Sequence, residues 1–325
     1  MKNKYWVGFD LGGTKMLAKV FNHSGEKSLA SVKNPTEGAR GSKAGLSRII
    51  DTIEEALGKA KVDKDDLAGI GIACPGPVDP DHGVIIEAPN LGWKNVSVQA
   101  TLEKAFKCPA TVANDVDLGT YGEYVQGAAK GARCAVGIFP GTGIGGGAVI
   151  NGELLQGAGI TCMEIGHIPI SGTKTPFASD RYTTLETVAS RLAISAAATQ
   201  AAYRGQAPYL YDSCGTDLAK IKSGKLASAI KHGDEAIEHI VRKAARALGE
   251  GVATAVLLLA PDIVVIGGGL VTAMTDLYLE EVTTSAKRHV LPAYRDRFKI
   301  VPAELDDDAT VIGAVGWARY KLASD

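Results

Sequence analysis

The sequence predicts a mixed α/β protein built as two halves. Three observations carry this. Short apolar strands alternate with amphipathic helices along the 325 residues. Each half opens on a strand, a glycine-rich turn and a second strand. Glycine reaches 39 residues without a collagen-like period, against a usual share of ~7%. Such an excess signals tight turns or close backbone approaches to a ligand. Two glycine turns that converge place that ligand in a crevice between the halves.

Tyr5–Leu11 reads as a buried strand, ended by Gly12-Gly13-Thr14, with 16–21 as its hairpin partner. Leu46, Ile49, Ile50, Ile53 and Leu57 recur at helical spacing and predict a helix over 42–61. The run 67–73 is a short strand ending at Cys74-Pro75-Gly76-Pro77. A further strand, 111–113, ends at Asn114-Asp115, and helical sequence follows over 116–125. The second half repeats the opening: strand 134–139, glycine turn 140–147, strand 148–150 and a hairpin turn at Asn151-Gly152. A long helix runs to Leu259 through Ile237, Val241, Ala244, Leu248, Val252 and Val256. The strand 262–266 leads through Gly267-Gly268-Gly269 into a helix over 270–282, and a small-residue helix over 310–322 follows.

Composition narrows the function classes. Apolar residues at 46% and charged residues at 22% provide a core and exclude wholesale disorder. A formal net charge of −1 gives no basic footprint for nucleic acid or an anionic membrane. The five cysteines, Cys74, Cys108, Cys134, Cys162 and Cys214, are odd in number, lack a C-x-x-C and lie mostly among apolar neighbours. Reduced, buried thiols in a reducing compartment are expected. The first apolar run is cut by Asp10, too soon for a signal peptide, and the stretch 252–260 is broken by Pro261 and Asp262. The expectation is a cytoplasmic protein.

The glycine turns carry the chemistry. In Asp10-Leu11-Gly12-Gly13-Thr14-Lys15 a carboxylate at a strand end precedes two glycines, a hydroxyl and a lysine. Backbone N–H groups there can approach phosphate oxygens, Thr14 and Lys15 add donors, and Asp10 can hold Mg²⁺ or its water shell. An ordinary hairpin turn with a capping Asp is the alternative. Gly141-Thr142-Gly143-Ile144-Gly145-Gly146 satisfies G-x-G-x-x-G, but strand sequence follows it, so the dinucleotide reading fails on context. Gly267, Gly268 and Gly269 leave room for a flat ring or a ribose, or make a tight strand-to-helix connection. Three such turns at three strand ends point together to a nucleoside polyphosphate. Asn114-Asp115 is either catalytic or the cap of the helix that follows.

These elements, with Cys74-Pro75-Gly76-Pro77-Val78-Asp79, Ala88-Pro89-Asn90-Leu91-Gly92-Trp93, Glu164-Ile165-Gly166-His167 and Val264-Val265-Ile266-Gly267-Gly268-Gly269, resemble the ROK family in order and spacing over essentially the whole chain. That family holds bacterial sugar kinases and repressors of the actin-like ATPase superfamily. The resemblance implies a two-domain actin-like ATPase (ribonuclease H-like) α/β fold with a ligand cleft between the domains. It implies a smaller N-terminal domain of 1–115 plus the helix 309–325, and a larger one of 116–308. It also implies ATP-dependent phosphorylation of a hexose, glucose foremost, with Asp115 as general base and Asn114 on the same sugar face. Glu164, His167 and Glu186 match sugar-contacting positions, and Gly76 and Asn90 match positions near the sugar. Asp10, Gly12, Gly13, Thr14, Lys15, Gly141, Thr142, Gly143, Gly267, Gly268 and Gly269 match the nucleotide side, with Mg²⁺ met by Asp10 through water or phosphate.

One departure stands out. After Glu-x-Gly-His the family usually carries C-x-C-G-x-x-G-C-x-E, whose cysteines bind zinc together with the His. Here 171–186 contains no cysteine, and Thr184 stands where the last one is usual. No structural zinc is expected, so Pro176 and Phe177 become the candidate anchors of the loop 171–181. Other acceptors fit the resemblance: fructose, mannose, allose, N-acetylmannosamine or N-acetylglucosamine. Polyphosphate is the alternative candidate donor, because some family members that use it lack the zinc motif. A non-catalytic sugar-binding regulator is the alternative of another class. Family repressors carry a helix-turn-helix before the first phosphate motif, and only nine residues precede Asp10. The expected partners are a sugar and a second copy of the chain, with no nucleic acid and no membrane.

Overall fold

The computed structural model describes residues 5–170 and 183–323. The strands are β1 Tyr5–Leu11, β2 Lys15–Phe21, β3 Ser28–Pro35, β4 Leu67–Cys74, β5 Val78–Asp79, β6 Val84–Ala88, β7 Trp93–Ser97, β8 Ala110–Asn114, β9 Cys134–Pro140, β10 Ile144–Ile150, β11 Glu153–Leu154, β12 Ile263–Ile266 and β13 Lys299–Pro302. The helices are α1 Ser42–Ala60, α2 Val98–Phe106, α3 Asp115–Gln126, α4 Leu185–Ala189, α5 Arg191–Tyr203, α6 Pro208–Cys214, α7 Ser223–Lys231, α8 Glu235–Leu259, α9 Gly269–Ala273, α10 Thr275–His289 and α11 Ala309–Ala323. Among the described residues no helix is long and apolar enough to cross a membrane.

The chain forms two compact units, one of 1–131, 147–162 and 305–325, the other of 132–146 and 163–304. The first holds a five-stranded sheet in the order β3-β2-β1-β4-β8. β1, β2 and β3 are antiparallel, whereas β1, β4 and β8 run parallel. One sheet face packs Val7, Phe9, Ile70 and Ile72 into a core with Ile49 and Ile53 of α1 and Leu102 and Phe106 of α2. A second core joins Ala73 and Ala113 to Leu118 and Tyr121 of α3 and Trp317 of α11. Burial of the Val, Leu, Ile and Phe side chains among these, at roughly 1.5–3 kcal/mol each, holds the unit together. The expected boundary after residue 115 lies inside this unit. The reason is the crossing of α3 and α11, where backbones meet so closely that a methyl group on Gly313 would collide with the Leu118 carbonyl.

In the second unit β12 runs parallel to both β9 and β13. The 25-residue α8 starts on Glu235 and Glu238, which suit its positive end, and stops where Ala260 turns left-handed ahead of Pro261. The helix expected over 270–282 is two helices, because the backbone leaves helical geometry at Met274 (φ −145°, ψ 49°). β10 begins at Ile144, earlier than the expected 148, so Gly145, Gly146 and Gly147 are strand and not turn. A Cβ at Gly146 would lie 2.7 Å from the Met163 carbonyl oxygen. The Asn151-Gly152 turn has positive φ at both residues, 52° and 91°, as a two-residue hairpin requires. Cys74, Cys108, Cys134 and Cys214 are buried, and Cys162 is half-buried.

Candidate active site

In the first unit the parallel strands β1, β4 and β8 end together, the usual place for a ligand in an α/β sheet. Asp10 pairs with Ala73, and Cys74 pairs with Asn114. Burial pushes the Asp10 carboxyl up to about 7, with Asp115 and Asp307 adding to the rise and Lys33 opposing it. The same burial raises the Cys74 thiol, reinforced by Asp115 and Asp10, so Cys74 stays neutral. Asp10, Cys74 and Asp115 thus share one electrostatic neighbourhood.

The turn after Asp10 is held from a distance. Thr36 is fully buried; its hydroxyl donates to the Gly12 carbonyl (2.7 Å) and its N–H to the Thr14 carbonyl (2.9 Å). A cleft of about 290 Å³ opens beside the turn, lined among others by Asp10, Thr14, Lys15, Lys33, Asp307 and Thr310. Lys33 lies 3.6 Å from Asp307, and Lys19 donates to Asp308 at 2.7 Å. Carboxylate and hydroxyl oxygens around a negative site suit a hard cation such as Mg²⁺, which takes few protein ligands and completes its shell with water and phosphate.

Asn114 is the cap that the sequence left open. Its Oδ1 accepts from Val116 N (2.8 Å) and Asp117 N (3.3 Å), and its Nδ2 donates to the Gly76 carbonyl (3.0 Å). Both ends of the side chain are therefore used to orient the first turn of α3 and the loop after β4. Asp115 opens α3, with Val116 N also donating to its Oδ1 (3.0 Å). Gly76 has φ 78°, and a side chain there would run into the Glu87 carbonyl. Asn90 is exposed, and its Cβ lies 3.5 Å from where a Cβ on Gly13 would stand. The first unit thus gathers Asp10, Gly12, Gly13, Thr14, Lys15, Gly76, Asn90, Asn114 and Asp115.

The second unit gathers the rest. β9 and β12 end side by side, Ile138 pairing with Ile266. The turns that follow meet: Gly267 N donates to Ile138 O (3.2 Å), and a Cβ on Gly268 would lie 2.9 Å from Pro140 O. The turn Gly141-Thr142-Gly143 is clamped from the start of α4 and α5. Arg191 N donates to Gly141 O (2.9 Å), Arg191 Nη2 to Thr142 Oγ1 (2.7 Å), and Ile144 N to Glu186 Oε2 (2.8 Å). Any side chain at Gly143 would strike the Glu186 carboxylate. Glu164 and His167 bracket a single turn of 3₁₀ helix, His167 N donating to Glu164 O (3.0 Å). Ile165 and Gly166 between them are buried, so the backbone is pinned while both flanking side chains are exposed.

Sequence reasoning missed Thr36, Arg191, Lys33, Asp307 and Ser223, whose Oγ lies 3.4 Å from where a Cβ on Gly269 would stand. The run Asp306-Asp307-Asp308 ahead of the last helix was the one local signal available. Among the described residues no group of three or more His, Cys, Asp or Glu is placed to hold a metal ion. Pro176 and Phe177, the expected loop anchors, lie outside the described residues. Cys162 donates its S–H to Leu155 O at 3.1 Å.

The chain matches the ROK family over residues 6–321. It is 33% identical to a glucokinase of Halalkalibacterium halodurans over 321 residues, 98% of this chain and 95% of that protein. Its fold is similar to that of a ROK family glucokinase from Streptomyces griseus solved in complex with glucose and AMPPNP. There the TM-score is 0.80 and the identity 27%, covering 98% of this chain and 99% of that one. It is likewise similar to the ROK hexokinase of Thermus thermophilus, with a TM-score of 0.81 and 29% identity over 99% of this chain and 100% of that one.

Proposed function

The chain belongs to the ROK family, and from that premise we propose that it is an ATP-dependent glucokinase that phosphorylates the 6-hydroxyl of glucose. The observation that carries the reading is Asp115. A carboxylate fixed at the first residue of a helix, at the end of a sheet that also bears Asp10 and close enough to raise its carboxyl, is what a kinase needs and a sugar sensor does not. Relatives that act on glucose, one of them solved with glucose and an ATP analogue, support the acceptor and the donor.

In this reading Asp115 accepts the proton of the 6-hydroxyl as that oxygen bonds to the γ-phosphorus. The bond from the γ-phosphorus to the bridging oxygen breaks, and ADP leaves with that electron pair. Asn114 contributes by holding Gly76 and the first turn of α3, so that Asp115 is presented at a fixed angle. Asn90, Glu164 and His167 are the sugar-facing side chains, and a wrong sugar is rejected by leaving such groups unpaired. Glu186 keeps one oxygen on Ile144 N and offers the other to the sugar. Gly12, Gly13, Thr14 and Lys15, with Gly141, Thr142 and Gly143, hold phosphates. Gly267, Gly268 and Gly269 admit the nucleoside. Mg²⁺, met by Asp10 through water or phosphate, supplies charge neutralisation on the transferring group.

The reading extends to a homodimer working in the cytoplasm without structural zinc. A coupled ADP-release assay over a hexose panel with ATP and Mg²⁺ tests it, with polyphosphate as a second donor arm. Glucose should give the highest kcat/KM. Another hexose at least tenfold better would overturn glucose as the substrate, and no ADP release with any hexose would overturn the kinase.

A further inference from the structure

The loop that carries Asn90 is fastened to the start of the first helix by two glycine slots. We propose that this fastening, above all Trp93 in the slot at Gly45, is what positions Asn90 toward the sugar and so governs sugar affinity. The proposal rests on the reading of the chain as a sugar kinase.

Pro89 and Asn90 are exposed, while the residues around them are anchors: Ala88, Leu91 and Trp93 are 0%, 4% and 1% accessible. The chain folds tightly between them. Leu91 N donates to Ala88 O (3.0 Å) and Gly92 N to Pro89 O (3.2 Å), with Gly92 left-handed at φ 67°. Each large anchor lies over a glycine. A Cβ on Gly38, in the turn before α1, would lie 2.6 Å from Leu91 Cδ2. A Cβ on Gly45, in the first turns of α1, would collide with Cζ2 and Cη2 of Trp93. Glycine weakens a helix relative to alanine, so its presence at Gly45 is offset by the ring it admits.

The indole serves by its shape. Trp93 Nε1 is buried and has no hydrogen-bond partner among the described residues. An orphaned N–H is unfavourable, and a residue chosen for hydrogen bonding would not be left so. What the ring does is fill the slot and fix the end of a short loop whose exposed polar side chain is Asn90. Asn90 in turn abuts Gly13 of the phosphate-side turn. A shift of the anchor is passed to Asn90 because only Leu91 and Gly92 separate them.

Gly45 and Trp93 are thus positioning residues, and the test is complementation. Steady-state kinetics with glucose and Mg·ATP are compared for wild type, Gly45→Ala, Trp93→Phe and the double variant. Phe lacks the Cζ2 and Cη2 atoms that a methyl at residue 45 would strike, and it loses no hydrogen bond. Gly45→Ala should raise the glucose KM ~10-fold with kcat and the ATP KM within about twofold. The double variant should return the glucose KM to within about threefold of wild type. Hydrogen exchange over 88–93 should speed up in Gly45→Ala and recover in the double variant. An unchanged glucose KM in Gly45→Ala, an equal loss on the ATP side, or a double variant no better than Gly45→Ala would each overturn the proposal. If Gly45→Ala does not fold, Trp93→Phe alone leaves the slot half-filled. A glucose KM raised about threefold then supports the proposal, and an unchanged one overturns it. A wild type that phosphorylates no hexose overturns the kinase reading, whereas the exchange measurement still reads the fastening by itself.

Discussion

Two carboxylates at the end of the first unit's parallel strands are asked to do different things. With Asp115 as the proposed proton acceptor, Asp115→Asn, which keeps the size of the side chain, should lower kcat by ~10²–10⁴ and leave the glucose KM little changed. Near wild-type kcat in single-turnover and steady-state assays would remove the assignment. Asp10 sits in a site that disfavours its charge, its carboxyl raised from 3.8 to about 7 by burial, Asp115 and Asp307. Between those values the folded chain holds a proton that the unfolded chain has lost. The stabilisation from this group is therefore complete below about pH 4 and fades as pH rises through about 7. Asp10→Asn is neutral throughout. Without ligand it should melt several degrees above wild type at pH 8 and at the same temperature near pH 4, the gap at pH 8 reflecting at most roughly 4 kcal/mol. A melting difference that does not vary between pH 4 and 8 would show that Asp10 is not held neutral.

At the scale of elements, glycine turns are only as well placed as the helices that grip them. The turn Gly141-Thr142-Gly143 is held by the backbone and guanidinium of Arg191 and, through Ile144, by Glu186. Ser190 caps α5, its side chain accepting from Ala193 N, so the helix start that carries Arg191 is itself fixed. Arg191→Ala removes the bond to Thr142 Oγ1 and keeps the backbone bond to Gly141. The ATP KM should rise ~5–20-fold with a smaller change in the glucose KM, as measured by varying each substrate at saturation of the other. Equal effects on both substrates would mean that the guanidinium supports the fold and not the turn. Nothing in the sequence pointed to the role of Arg191. Its side-chain partner, Thr142, stands 49 residues earlier, and no local pattern connects the two.

Across the whole molecule, the absence of the family's cysteines has a direct consequence. After Cys162 no cysteine occurs until Cys214, and His167 is the one histidine between them. Two side chains do not close a tetrahedral structural site. Purified protein should contain far less than one zinc per chain, and a chelator should leave the melting temperature unchanged. Near-stoichiometric zinc in elemental analysis, lost with a fall in melting temperature on chelation, would contradict this.

The sequence by itself determined where strands end in glycine, that Asn114-Asp115 starts a helix, and that the motifs follow ROK order. Each of these is written in neighbouring residues, as turn chemistry, capping or hydrophobic period. It did not show β3 or β13, whose patterns are weak because few of their residues are buried, nor α2, although Val98, Leu102 and Phe106 recur there at helical spacing. Tertiary structure alone decided that Thr36 holds the Gly12 turn and that Asp307 raises Asp10. It likewise decided that Asn114 also holds the Gly76 carbonyl, that Glu186 grips Ile144 and that Trp93 occupies a slot at Gly45. The physical reason is the same in each case: hydrogen bonds, desolvation and steric fit act through space, and the residues that meet there are far apart along the chain.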